Sequence, residues 1–377
     1  CWFSWRKFIK LEIILIFCKR YLSDSNHMTI NICPYPTEKT EYFLSYCTLN
    51  VKHMQGGKVR AINLLGCGTS YLVSSLTRVP YVPHMPSAIS FELTNHCNLR
   101  CRECASGSGT MKRGKGFMDT EIYLKTLKEL GPYLWFVNLY FQGEPMLHPE
   151  FFSFTGAIAG ARITVSTNGH YLSPENCEKL AHSGIGRLIV SLDGMDQETY
   201  SQYRKGGDLN RVLEGIRNVS EAVRRDKSGL KLELQFLVNN YNQHQVGQVR
   251  RFARESGAVL RLKSMQVLNI DEAGKWMPGD ERFRRYRTEG ESHVLKSRHP
   301  DRCLRLWYNP VITWDGKVIP CCFDKDADYV MGDLKKDSFR EIWHGKLYQD
   351  FRKQVLTGRK SIPMCRNCTS GLKGVRY

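Results

Sequence analysis

The strongest constraint on the fold is an alternation of short apolar runs with longer amphipathic stretches, which begins after Pro80. Short apolar runs predict strands, and apolar residues at helical spacing predict helices. We expect strands at 88–93, 135–141, 162–166, 187–191, 230–238 and 258–263, and helices at 119–130, 149–159, 173–182, 209–225 and 243–255. A βα series predicts an α/β fold, either a parallel sheet or an incomplete (β/α)6 barrel of the TIM type. In such folds the functional side chains lie at the carboxyl ends of the strands.

The composition is that of a globular chain and argues against several classes of protein. Of the 377 residues 42% are hydrophobic, but no run of 18 or more is apolar, so an integral membrane protein is not expected. The net charge of +18 is scattered along the chain, so nucleic-acid binding is not the expected function either. Seven of the 14 cysteines form two groups. This clustering indicates metal chemistry in a reducing, cytoplasmic compartment rather than a disulfide scaffold.

The two ends of the chain differ from this regular middle. Residues 1–53 begin with Cys1 and show little periodicity, and we interpret them as a non-native or poorly structured extension, with Met54 or Met28 as the start. A signal peptide is the alternative for this segment. Residues 54–85 lead into the first strand, and 266–302 lack periodicity and are interpreted as a linker. Beyond it, Asp315-Gly316 between two apolar runs predicts a β-hairpin, followed by helices near 338–343 and 348–355 in a small second domain.

Three cysteines, Cys97, Cys101 and Cys104, stand close together directly after the first predicted strand. A structural zinc site needs four ligands, and this loop lacks a fourth unless His96 supplies it. Three thiolates leave one iron of a cubane [4Fe-4S] cluster without a protein ligand. A substrate or cofactor can then bind that iron directly.

This C-x3-C-x2-C spacing resembles that of the radical S-adenosylmethionine (SAM) superfamily. In that family SAM chelates the fourth iron, and electron transfer cleaves it to a 5′-deoxyadenosyl radical that abstracts hydrogen from the substrate. The resemblance covers 88–263 and implies a radical SAM core at 86–265, an oxygen-sensitive enzyme and an electron donor such as flavodoxin or ferredoxin. Glu103 departs from the family pattern, because many members carry an aromatic residue there, near the adenine.

Polar motifs after the later strands fit the same resemblance. Gly143-Glu144-Pro145 resembles the family's GEP-type motif, whose acid and backbone hold the amino group of SAM; an acid opposite an ammonium makes a charge-assisted hydrogen bond. Ser166-Thr167-Asn168-Gly169 and Ser191-Leu192-Asp193-Gly194 end the next two strands, and each would be read as a turn if it stood alone. The resemblance implies that the ribose and the methionine carboxylate are bound by Ser166, Asn168, Ser191 and Asp193.

Cys303, Cys321, Cys365 and Cys368 form the second group, and four thiolates also suit a zinc ion. Beside a radical SAM core, their spacing resembles that of the SPASM or shorter twitch domains, which bind auxiliary [4Fe-4S] clusters. The resemblance implies such a domain at 303–377, with cysteines enough for one auxiliary cluster. The spacing is also similar to that in 2-deoxy-scyllo-inosamine dehydrogenase, a radical SAM alcohol oxidase.

The roles of three cysteines and the identity of the substrate are left open by the sequence. Cys322 is not expected to be a fifth ligand, because neighbours on a strand point to opposite faces. It is either a buried packing residue or a hydrogen-atom donor or acid that faces the substrate. Cys67 and Cys177 are interpreted as packing residues. The substrate is a peptide or protein, as for most SPASM relatives, or a sugar or cyclitol, as the one-cluster spacing favours; a non-catalytic zinc or iron-sulfur protein is the alternative from another class.

Overall fold

The computed structural model describes residues 56–296 and 300–368. All of the described residues belong to one compact unit. The interpretation of residues 1–53 therefore concerns residues outside the described part. Within 56–296 and 300–368, no helix has the length and hydrophobicity needed to cross a bilayer.

Six parallel strands, paired in chain order, form the main part of the largest sheet in the described residues. They are β1 (Ala88–Phe91), β2 (Phe136–Asn138), β3 (Arg162–Thr167), β4 (Ile185–Ser191), β5 (Lys231–Val238) and β6 (Val259–Ser264). Each predicted strand is present, and β2 is the one that is clearly shorter than predicted. The predicted α/β class with a (β/α)6 arrangement is confirmed.

A long helix precedes β1, and further helices follow β1 to β5. In chain order they are α1 (Gly56–Thr77), α2 (Ala105–Ser108), α3 (Thr120–Leu130), α4 (Phe151–Gly156), α5 (Pro174–His182), α6 (Gln197–Tyr203), α7 (Leu209–Arg225) and α8 (Val246–Glu255). Asp119, Ser173 and Asp208 cap the first turns of α3, α5 and α7 by accepting hydrogen bonds from backbone N–H groups. These caps explain why the predicted starts of the three helices agree with the structure to within one residue. Helix α1 was not predicted.

The two faces of the parallel sheet have opposite character, because successive side chains on a strand point to opposite sides. One face is apolar: Ile89, Val137 and Leu188 are fully buried and share a core cluster with Val212 and Ile216 of α7. The other face, called the polar face below, carries Ser90, Asn138, Thr164, Arg187, Glu233 and Arg261, which contact one another from strand to strand. A polar face of this kind differs from the aliphatic layers that fill a closed TIM barrel.

The segment predicted to be a linker, 266–302, is folded in its described part. It contains 3-10 turns at Ile270–Lys275 and Glu281–Phe283, and a hairpin of β7 (Tyr286–Glu289) and β8 (Ser292–Leu295). Trp276 of this segment is 5% exposed and belongs to the same core cluster as Cys101. The linker prediction failed because 3-10 turns and a short, largely exposed hairpin give neither a helical nor a two-residue period.

The C-terminal region continues the main sheet. Strand β9 (Val311–Ile312) pairs in parallel with β1, and β10 (Lys317–Ile319) and β11 (Gly332–Asp333) extend the sheet by antiparallel pairing. The predicted hairpin at Asp315-Gly316 is thus confirmed. Helices α9 (Phe339–His344), α10 (Lys346–Gly358) and α11 (Pro363–Arg366) follow. The C-terminal cysteines are therefore carried by a region that is hydrogen-bonded to the first strand of the barrel.

Candidate functional site

The loop with the first three cysteines follows β1 and is held by backbone hydrogen bonds on two sides. The carbonyl oxygen of His96 accepts from the N–H of Glu144 at 2.8 Å, and the N–H of Arg100 donates to the carbonyl oxygen of Lys205 at 2.8 Å. Cys101 is buried, whereas Cys97 and Cys104 are half-buried. The loop is thus fixed to the segment after β2 and to the segment after α6, while two of its three thiols stay partly accessible.

The three thiols lie close together. Burial raises the pKa of Cys97 to about 11, and nearby Glu144, Cys101 and Cys104 also raise it. The Cys97 sulfur accepts from the N–H of Leu99 at 3.5 Å, a type of bond that stabilises a cluster-ligating thiolate. Among the described residues, no three or more His, Cys, Asp or Glu side chains are arranged around a single metal ion. Three thiolates on one loop suit an iron-sulfur cluster, in which each cysteine binds a separate iron.

Gly143 brings the strand-end motif against this loop. Its φ of 75° lies in the left-handed region, and a Cβ there would stand 2.5 Å from the carbonyl oxygen of Thr94. Pro145 is buried and begins a 3-10 turn, Pro145–Leu147, that Glu144 caps. The glycine is needed for this close approach, and the proline sets the direction of the chain after the acid.

Glu144 joins the ends of β2 and β3. One carboxylate oxygen accepts from the Thr167 hydroxyl at 2.8 Å and from the Met146 N–H at 3.2 Å. The other accepts from the Asn168 N–H at 2.7 Å. Burial raises the pKa of Glu144 to about 7, although these hydrogen bonds oppose the shift. A carboxylate has about four acceptor positions, so three donors leave room for one more, such as an amino group.

Asn168 connects this acid to the cysteine loop, while two serines at the strand ends keep their hydroxyls available. The Asn168 amide donates to the side-chain oxygen of Asn98 at 2.7 Å and approaches the Cys97 sulfur at 3.8 Å. Ser166 lies on β3 and Ser191 ends β4. No hydrogen bond joins either hydroxyl to another residue of the described part. The predicted residues Glu144 and Asn168 are therefore beside the cysteines.

Asp193 is engaged with a residue that the sequence analysis missed. Its carboxylate accepts from the Arg204 Nε at 2.7 Å and from the Leu237 N–H at 2.7 Å. In this ion pair the Asp193 side chain is 0% exposed and the Arg204 side chain is 12% exposed. The Arg204 Nη1 lies 3.7 Å from the Cys101 sulfur. Arg204 thus places a positive charge beside the cysteine loop, and Asp193 holds the guanidinium there. The sequence analysis missed Arg204 because a single arginine after α6 forms no recognisable motif.

A small cavity, with room for about one water molecule, is lined by residues that follow β6. Its lining includes Met265, Val267, Trp276 and Tyr286, and the core cluster to which these four belong also contains Cys101. The carboxylate of Glu103 accepts from the Leu268 N–H at 2.7 Å. The glutamate at the position where many family members carry an aromatic residue therefore ties the cysteine loop to the cavity wall.

The second cysteine group comes together from three segments of the C-terminal region. Cys303 precedes the 3-10 turn Leu304–Trp307, Cys321 follows β10, and Cys365 and Cys368 lie in α11 and just after it. Burial raises the pKa of Cys365 to about 11, with smaller upward contributions from Cys368 and Cys303. A hydrogen bond with the neighbouring Cys322 thiol raises the pKa of Cys321 most, burial raises it further, and Cys303 adds to the shift. The four thiols thus interact with one another.

Cys322 lies between this group and the polar face. It is half-buried, and it interacts electrostatically with Arg305, Lys325 and Tyr140. Burial lowers the pKa of Lys263 on β6, and Glu233 and then Cys322 oppose this shift. The role of Cys322 toward a substrate stays a prediction. Cys67 and Cys177 are both buried, 3% and 1% exposed.

Comparison with known proteins gives relatives along most of the chain. "AdoMet-dependent heme synthase" of Methanosarcina barkeri (strain Fusaro / DSM 804) is 26% identical over 332 residues, which are 78% of this chain and 92% of that protein. The "Tungsten-containing aldehyde ferredoxin oxidoreductase cofactor-modifying protein" of Pyrococcus furiosus (strain ATCC 43587 / DSM 3638 / JCM 8422 / Vc1) is 24% identical, with 74% and 86% covered. The chain is thus similar to two proteins named for unlike products.

Solved structures show the fold. BtrN in complex with AdoMet and 2-DOIA has a TM-score of 0.50 at 21% identity, covering 78% of this chain and 97% of that one. Streptococcus suis SuiB bound to S-adenosylmethionine has a TM-score of 0.58 at 14% identity, covering 98% and 84%. At these identities the likeness is one of fold alone.

Two family models match the regions that carry the two cysteine groups. The model of the radical SAM superfamily matches residues 91–249, and that of SPASM, an iron-sulfur cluster-binding domain, matches 303–369. A radical SAM domain implies a [4Fe-4S] cluster and SAM, and a SPASM domain binds auxiliary iron-sulfur clusters. The chain is therefore an enzyme of the radical SAM superfamily that carries a C-terminal SPASM domain.

Proposed function

We propose that the enzyme cleaves SAM reductively at a [4Fe-4S] cluster held by Cys97, Cys101 and Cys104, and uses the resulting radical to abstract hydrogen from a substrate at the polar face. The observation that carries this proposal is the gathering of three mutually interacting thiols on one loop, beside polar strand-end groups with unused hydrogen-bonding capacity. The proposed domain division is 86–265 for the core and 303–377 for the auxiliary domain. We propose a flavodoxin or ferredoxin as electron donor, in a reducing, cytoplasmic compartment.

The residues around the loop suit the parts of SAM. Glu144 has one acceptor position left for the amino group, and the guanidinium of Arg204 beside Cys101 suits the carboxylate. The hydroxyls of Ser166 and Ser191 suit the ribose. Asp193, predicted from the sequence to contact SAM, acts in this proposal by positioning Arg204.

Cys303, Cys321, Cys365 and Cys368 are proposed to hold one auxiliary [4Fe-4S] cluster. Four interacting thiols are present, and iron-sulfur binding is the property of the domain that matches this region. Cys322 is not proposed as a ligand of this cluster, and it is proposed to lie toward the polar face.

The polar face favours a small polar substrate over a peptide. The Asn138 amide donates to the Ser90 hydroxyl at 3.1 Å, and that hydroxyl donates to the side-chain oxygen of Asn309 at 3.3 Å. Hydroxyl and amide groups therefore line one part of the polar face. In the other part Glu233 is shared between Arg187, at 3.6 Å, and Arg261, at 3.4 Å, which leaves positive charge in excess. We infer a sugar- or cyclitol-like substrate with an acidic group. A panel of such compounds and short peptides, assayed for stimulated 5′-deoxyadenosine formation, tests this; stimulation by peptides alone would contradict it.

Replacing Glu144 by Gln is expected to weaken SAM binding by about tenfold or more, because a charge-assisted hydrogen bond contributes roughly 1.5 to 3 kcal/mol. The measurement is an equilibrium titration of SAM into the cluster-loaded variant, with iron content and thermal midpoint determined in parallel. Glu150→Gln is the control: it removes an exposed carboxylate close by in the chain and is expected to leave the affinity unchanged. Native affinity in Glu144→Gln would remove Glu144 from the SAM site.

A further inference from the structure

We propose that Arg359 is a positioning residue that raises the reduction potential of the auxiliary cluster by hydrogen-bonding to the sulfur of Cys368. The inference goes beyond the proposed function, but it rests on the assignment of Cys303, Cys321, Cys365 and Cys368 as the ligands of that cluster. Arg359 belongs to neither cysteine motif, and its sequence neighbours give no indication of such a role.

The side chain of Arg359 is fixed between two ligand-bearing segments. It stands in the 3-10 turn Arg359–Ser361, between α10 and α11, and is 1% exposed. Its Nη2 donates to the Cys368 sulfur at 3.4 Å. Its Nη1 donates to the carbonyl oxygen of Arg302, the residue before Cys303, at 3.0 Å. The guanidinium therefore spans from the Cys303 segment to the Cys368 segment.

The backbone of the same residue is anchored as well. The Arg359 N–H donates to the carboxylate of Asp301 at 3.0 Å. Cys303 and Cys365 also lie near enough to interact electrostatically with the guanidinium, so three of the four proposed ligands feel its charge. A guanidinium stays protonated in proteins, which makes this a fixed positive charge.

A fixed buried charge beside the ligands affects the redox equilibrium in one direction. Reduction adds an electron to the cluster and makes its negative charge larger. A positive charge and a hydrogen bond to a ligating sulfur therefore stabilise the reduced form more than the oxidised form, and hydrogen bonds and charge are known controls of iron-sulfur potentials. Burial removes the water that would screen this effect. The next residue, Lys360, carries the same charge but is exposed, so water and salt screen it.

The test uses the full chain with Cys97, Cys101 and Cys104 replaced by Ala, so that only the auxiliary cluster contributes to the signal. Midpoint potentials are measured by redox titration monitored by electron paramagnetic resonance, with iron counted in each sample. Arg359→Gln is expected to lower the equilibrium constant for reduction about tenfold, a shift of about 59 mV for a one-electron couple. Arg359→Lys is expected to give a smaller decrease, because the charge remains while the planar fork is lost. Lys360→Gln, the matched control, is expected to leave the midpoint unchanged.

An unchanged midpoint in Arg359→Gln that retains its iron would overturn the proposal. If that variant loses iron, Arg359→Lys decides: a midpoint equal to that of the parent overturns the proposal, and a lower one supports it. An equal shift in Lys360→Gln would show that net charge alone acts and would also overturn it. If the parent with its four C-terminal cysteines intact binds no iron-sulfur cluster, the ligand assignment has failed instead, which the iron and sulfide counts show before any potential is measured.

Discussion

Replacing Cys97, Cys101 and Cys104 together by Ala is expected to reduce the iron content from about eight to about four atoms per chain and to abolish SAM cleavage. The reason is that these thiols are proposed to be the sole protein ligands of one cubane cluster, and SAM is proposed to bind its remaining iron. The auxiliary cluster has its own four cysteines and should persist. Iron and sulfide analysis after anaerobic reconstitution, with an assay for 5′-deoxyadenosine, measures both effects.

Cys177→Ala provides the matched control for this experiment. Cys177 is 1% exposed in α5 and belongs to neither cysteine group, so its loss should leave about eight irons and full SAM cleavage. Cleavage at the native rate in the triple variant would contradict the cluster assignment. Zinc in place of iron at the C-terminal cysteines after anaerobic preparation would contradict the auxiliary-cluster assignment without affecting the first.

Replacing Asp193 by Ala is expected to lower the free energy of unfolding by about 3 to 5 kcal/mol, because it leaves the guanidinium of Arg204 buried without its partner. The same change should weaken SAM binding, since Arg204 would no longer be held beside Cys101. Denaturant unfolding and SAM titration measure the two effects separately.

Two further variants show whether the burial of the Asp193–Arg204 ion pair causes the loss of stability. Removing both partners, in Asp193→Ala with Arg204→Ala, leaves no unpaired charge and should cost less than the sum of the two single replacements. Asp350→Ala breaks an exposed pair with Lys346 on α10 and should cost about 1 kcal/mol or less. Equal losses for Asp193→Ala and Asp350→Ala would show that the Asp193 pair has no special contribution.

The barrel could be predicted well because its signals are local. A strand buried on its helix-facing side, such as β4 or β5, requires closely spaced apolar residues, and a helix such as α7 requires them at helical spacing. Capping residues then mark the helix starts. Helix α1 and the hairpin β7–β8 were missed because glycines dilute the pattern of the first and exposure removes the pattern of the second.

The site was only partly predictable, for a different physical reason. Glu144 and Asn168 stand in short motifs at strand ends, and a parallel sheet brings such ends together, so their proximity to the cysteine loop follows from topology. Arg204 and Arg359 are single arginines whose importance depends on which sulfur they approach in three dimensions. No local pattern encodes that approach. The same holds for the pairing of Asp193 with Arg204.

The pairing of β1 with β9 bears on how the chain reaches its native state during synthesis. Ser90 of β1 hydrogen-bonds to Asn309, 219 residues later, just ahead of β9. Domains generally fold as units while the ribosome delivers the chain, and β9 follows β1 to β6 in the sequence, so β1 has one unpaired edge until the whole barrel has been made. Exposed strand edges promote aggregation, and such long-range pairing forms slowly. Because the cysteine loop follows β1 directly, iron-sulfur assembly at Cys97, Cys101 and Cys104 is expected to wait for the last quarter of the polypeptide.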